Sequence, residues 1–149
     1  MPVSIAPSKE VCQAIVDRIN SALAYTLPTP AVYAYQKSED LRDQGALQVD
    51  VIHIDEGDLE ETLDVENPTE HELHVWVRRH LDSQDNDTID ALKLIVRQIW
   101  QRLNNYQTSR VYVRQCGIES VPGPQKDLLR THGTFAQSIT LMVRLEASP

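Results

Sequence analysis

Glu72-Leu73-His74-Val75-Trp76-Val77-Arg78-Arg79 is followed, after a short polar stretch, by Ile89-Asp90-Ala91-Leu92-Lys93-Leu94-Ile95-Val96-Arg97-Gln98-Ile99-Trp100-Gln101-Arg102-Leu103. The first segment has a period of two. Leu73, Val75 and Val77 face one way and His74, Trp76 and Arg78 the other, which is the pattern of a half-buried strand. The second segment turns at helical spacing: Ile89, Leu92, Val96, Ile99, Trp100 and Leu103 form a stripe, widened by Leu94 and Ile95. Asp87 with Asp90 resembles a capping box, and Asn104-Asn105 ends the helix. A stripe this wide predicts a helix that covers a sheet.

Working outward, Ser8–Leu23 is also helical, with Val11, Cys12, Ile15, Val16, Ile19, Ala22 and Leu23 on one side. Ser8 is its expected N-cap, Glu10 suits the positive end of the helix dipole, and Leu27-Pro28-Thr29-Pro30 stops it. Strands are expected over Ala31–Gln36 and Leu47–Ile54 before the central strand, and over Arg110–Cys116 and Phe135–Leu145 after the second helix. The order α-β-β-β-α-β-β predicts an α+β fold: a mostly antiparallel sheet of about five strands with two helices packed on one face. Residues 1–149 read as a single domain, with long loops over 55–71 and 117–134, the second containing Pro122-Gly123-Pro124.

Composition narrows the function. The chain has 149 residues, 22 Asp and Glu against 14 Lys and Arg, and a net charge of −8. An acidic total argues against a protein that wraps nucleic acid. No apolar run reaches the roughly 20 residues of a membrane helix, and Met1–Pro7 lacks the features of a signal peptide. Cys12 and Cys116 fit a reducing compartment and supply neither a disulfide framework nor a zinc site. The charge is uneven: residues 1–75 hold 15 acidic and 4 basic side chains, a net of −11, whereas residues 76–149 hold 7 and 10, a net of +3. One reading is an ordinary solvated surface. The other is two unlike flanks that attract head to tail, as a ring or filament requires.

Few residues carry a pattern that points to chemistry. The 5 glycines do not cluster, so no phosphate cradle is present. His71 and His74, three apart on a strand, point to opposite faces and cannot chelate one ion undistorted. The carboxylates of Asp55–Glu72 sit on an expected mobile loop, which cannot hold two of them at the fixed separation that acid/base catalysis needs. Asp55–Glu66 also lacks the third-position oxygen ligand and sixth-position glycine of an EF-hand. Cys116 reads as a small core residue. No catalytic or metal residues and no cofactor are therefore expected, and the chain reads as a protein whose surface is its function.

Several of these segments together resemble the tail terminator (tail-completion, minor tail U-like) proteins of long-tailed bacteriophages. The matching features are the helix Glu10–Leu23 with its proline stop and the short strand Val32–Gln36. To these are added the strand His71-Glu72-Leu73-His74-Val75-Trp76-Val77-Arg78, the helix Ile89–Leu103 that it leads into, and the closing strand Phe135–Leu145 with Val143-Arg144-Leu145. The resemblance spans nearly the whole chain in topology, and the family carries no catalytic signature. It implies a structural virion protein of the tail or neck, assembled in the host bacterial cytoplasm. As a homohexameric ring it would cap the tail tube, stop its elongation and offer a joining surface to the head-completion protein, while DNA passes through without specific binding. Another neck component of similar fold, or an intracellular module that binds a peptide at a sheet edge, are the alternatives. On the ring reading, Arg78, Arg110, Arg114 and Arg144 lie at a subunit or tube contact. Asp55, Glu56, Asp58, Glu60, Glu61 and Asp64 then lie on an acidic loop at the lumen or a ring face.

Overall fold

A computed structural model describes residues 6–23, 27, 30–34, 47–58, 68–81, 86–118 and 133–146. Helix α1 spans Pro7–Ala22. Pro7 occupies the first turn, where its fixed φ is already helical and its missing N–H costs no hydrogen bond. The expected Ser8 cap is therefore displaced: Ala6 is the N-cap and contributes no side-chain hydrogen bond. Helix α2 spans Asn86–Leu103, so Asp87 and Asp90 lie inside it and not at the box positions. Asp87 still places a negative charge in the first turn. The helix ends as its asparagines suggest, with Asn105 at φ 62°, in the left-handed region this residue tolerates.

The strands are β1 (Val32–Ala34), β2 (Gln48–Asp58), β3 (Thr69–His80), β4 (Val111–Ile118) and β5 (Thr134–Leu145). They form one sheet in the order β1-β2-β3-β5-β4. The pair β1–β2 is parallel, and β2–β3, β3–β5 and β4–β5 are antiparallel. The α+β class, the element order and the mostly antiparallel sheet agree with the sequence reading.

The boundaries differ at the acidic segment. Asp55, Glu56, Gly57 and Asp58 continue β2, while Thr69, Glu70 and His71 begin β3, paired through Asp55↔Glu72, Glu56↔His71, Gly57↔Glu70 and Asp58↔Thr69. Acidity reports how side chains are solvated. It does not forbid the backbone from satisfying its N–H and C=O groups in a ladder. The expected second loop is likewise shortened, because β4 continues through Gly117 to Ile118.

One face of the sheet carries Val49, Val51, Leu73, Val75, Val77, Val111, Val113, Ile139, Leu141 and Val143, packed with Val11, Ile15 and Ile19 of α1 and Leu92, Val96 and Ile99 of α2. Both helices thus lie on the same side. Leu94, read as widening the stripe, is instead 57% exposed, because a two-helix layer buries only the central strip of each helix. Trp100 ties α2 to β4, its indole N–H donating to the Cys116 carbonyl at 2.7 Å. The opposite face is also buried at its centre, through Asp50, Ile52, Arg78, Ala136 and Ser138. Among the described residues no helix is long and apolar enough to cross a membrane.

Candidate functional site

Of the four arginines of the sequence reading, Arg78 stands apart near the start of β5, while Arg110, Arg114 and Arg144 come together around Glu70 and Glu146 at its other end. Arg78 corrects the expectation that it meets a partner subunit. It points to the face away from the helices, as its parity predicts, but is only 5% exposed and is paired with the buried carboxylate of Asp50. A guanidinium removed from water needs a nearby anion, and the antiparallel register brings Asp50 and Arg78 of adjoining strands diagonally together. Gln48 accepts a further, longer hydrogen bond from the same guanidinium at 3.5 Å.

The other three arginines are partly accessible and engaged within the chain. Arg110 Nη1 lies 2.9 Å from Glu10 Oε1 and its Nη2 donates to the Glu146 carbonyl at 3.2 Å, which locks the first turn of α1 to the start of β4. Arg114, the most open of the four at 42%, reaches Glu70 at 3.1 Å. Arg144 meets Glu146 at 2.8 Å. Of the acidic set, Asp55 and Glu56 are exposed side chains on the extended end of β2. Asp58 ends that strand, and Glu60, Glu61 and Asp64 lie outside the described residues.

Among the described residues, sequence reasoning missed one grouping of three histidine and carboxylate side chains. His53 and Glu56 on β2 and His71 on β3 bring one ligand-type atom each to within 4.8 Å of one another. His53 Nε2 and His71 Nδ1 are hydrogen-bonded at 2.9 Å, and Glu56 Oε2 lies 3.5 Å from the same Nδ1. The other nitrogen of His71, Nε2, is 2.7 Å from Thr69 Oγ1. His71 is fully buried, His53 half-buried and Glu56 open to solvent, so the cluster has a closed floor and an accessible rim.

Two residues three apart on a regular strand face opposite ways, and His71 and His74 do so here. His53 and Glu56 are also three apart, yet they share the helix-side face because the β2–β3 ladder shifts register between His53 and Asp55. His53 pairs with Leu73 and Glu56 with His71, both inward-facing positions of β3. Such a bulge re-aims a side chain without changing the sequence pattern around it. The available signal was two histidines and a glutamate within one hairpin; the register that joins them was not legible.

Burial, followed by the neighbouring His53, lowers the pKa of His71 to about 4 from its ordinary value near 6.5. His71 is then neutral at pH 7. A histidine whose folded pKa is depressed contributes stability that is complete above about pH 6.5. That contribution is lost as the pH falls towards 4, since the unfolded chain takes up the proton and the folded one does not. Urea midpoints should therefore fall across this window, and His71→Gln should fall less steeply over the same range.

Both cysteines are held in the thiol form. Burial raises the thiols of Cys12 and Cys116 to about 12, leaving negligible thiolate at neutral pH. Cys116 Sγ lies 3.8 Å from the Trp100 carbonyl as a weak donor, consistent with a packing role.

No family model and no curated protein matches the chain. Among solved structures it is similar to the sheath/tube terminator, in its extended state, of an extracellular contractile injection system. The identity is 12% and the TM-score 0.43, over 99% of this chain and 60% of that one.

Proposed function

We propose that this chain is a structural, non-catalytic subunit of a phage-type tail: a terminator that forms a ring on the tail tube, ends its growth and presents a surface to the head or neck. The observation that carries this reading is the unlike character of the two flanks of the sheet. On one side lie the short parallel strand β1 and the acidic end of β2, with Asp55 and Glu56 exposed. On the other lie β4 and β5, where Arg110, just before β4, Arg114 and Arg144 are partly accessible and paired within the chain with Glu10, Glu70 and Glu146. A cyclic ring is built from heterologous contacts, in which one surface meets a different, complementary surface of the next copy. Where these arginines exchange their intrachain carboxylates for the acidic side chains of the next copy, charge complementarity favours that register over reversed pairing. An acidic wall also lets DNA pass without binding its phosphates. The element order is the one that the tail-terminator resemblance implies.

Electron microscopy of particles assembled without this protein tests the reading. Tails of uncontrolled length that fail to acquire heads are the expected result. Tails of normal length without heads would transfer the chain to a head-closure or tail-joining role in the same neck. Normal, head-attached tails would exclude both.

A further inference from the structure

We propose that His53, Glu56 and His71 form a binding site for a divalent transition-metal ion of the zinc class. Zinc bound by imidazole and carboxylate has bonds of about 2.0–2.2 Å, which places the ligand atoms of a tetrahedral site roughly 3.3 Å apart. Two of the three separations in the hairpin bracket that value, 2.9 Å between His53 Nε2 and His71 Nδ1 and 3.5 Å between His71 Nδ1 and Glu56 Oε2, and the third is within 4.8 Å. Opening the first of these by a few tenths of an ångström lets an ion replace the proton that the two rings share. The half-exposed His53 and solvent-facing Glu56 can make this adjustment without disturbing the core.

The surroundings provide the orientation that a ligating histidine requires. An ion on Nδ1 leaves Nε2 protonated, and Thr69 Oγ1 stands 2.7 Å from it to accept that hydrogen bond, fixing both tautomer and ring plane. The bulge between His53 and Asp55 makes the site possible, because it brings His53 and Glu56 onto the face occupied by His71. Two nitrogens and one carboxylate oxygen select zinc-like ions over magnesium or calcium, which take all-oxygen shells. Three protein ligands leave a fourth position for water or for a donor from an adjoining molecule. The site is independent of the ring reading.

The test uses the untagged full-length chain with Zn2+ alone as the probe, followed by calorimetry and thermal melting. The expected result is one ion per chain, a rise in thermal midpoint on adding Zn2+, and affinity weakened at least about tenfold in both His53→Gln and Glu56→Gln. Glu56 is 45% exposed, so Glu56→Gln tests the site without threatening the fold. Thr69→Val, which keeps all three ligands, should weaken binding by about tenfold. Failure of the wild-type chain to bind Zn2+, or binding equal in wild type, His53→Gln and Glu56→Gln, overturns the proposal.

Discussion

Replacing Arg78 by alanine is expected to destabilise the fold by about 3–5 kcal/mol. For a chain of this length, that corresponds to a thermal midpoint lower by roughly 10 °C. The reason is the burial of its partner. Asp50 is 3% exposed and paired with the guanidinium, so removing the cation leaves a carboxylate in the sheet with its main counter-charge gone. Asp50 must then be protonated or water must enter, and either costs free energy. The arginine's aliphatic stem adds lost packing. The double variant Asp50→Leu/Arg78→Met separates these contributions. If the loss arises from an orphaned charge, the double variant should be markedly more stable than Arg78→Ala, since a well-packed apolar pair is often no worse than a buried ion pair. A double variant as unstable as the single one would assign the loss to packing. Midpoints in urea, read with the slope unchanged, measure both.

Phe135→Ala should cost about 3–5 kcal/mol as well, for an unrelated reason. Phe135 is the chain's one phenylalanine, stands at the start of β5 and is fully buried. Its removal forfeits the transfer free energy of the ring and leaves a cavity that the ends of β3 and β5 can collapse into only partly. Leu94→Ala provides the control. It removes an apolar side chain from α2, but one that is 57% exposed, and should change stability by no more than about 0.5 kcal/mol. A large loss at Leu94 in the isolated chain would contradict the orientation of α2.

These positions also show where the sequence can and cannot be read. Leu73, Val75 and Val77 announce their common face because a strand alternates strictly. Ile15, Ile19, Val96 and Ile99 do so because a helix returns every 3.6 residues. Phe135 falls on the correct parity with Ile139, Leu141 and Val143, and its burial follows from that alone. Leu94 misleads because local periodicity does not say how wide the covering layer is. Arg78 misleads in the other direction: its parity is read correctly, but residues on the face away from the helices are buried at the centre of the sheet. Composition places a polar residue at the surface, whereas the diagonal pairing with Asp50 lets it sit inside.

The order of elements, the mostly antiparallel α+β arrangement and the inward faces of both helices are legible in the chain alone. The elements and their inward faces rest on interactions within a few residues along the chain, and the antiparallel arrangement follows from their order. The sequence also located the charge asymmetry, which is a count. The tertiary structure decided what depends on register between distant strands: that Asp50 neutralises Arg78, that Arg114 reaches Glu70, and that the acidic segment enters the sheet as strand. Most of all, it decided that His53, Glu56 and His71 converge. A one-residue shift between His53 and Asp55 reverses the facing of every side chain beyond it, and nothing in the alternation of the surrounding residues marks where that shift occurs.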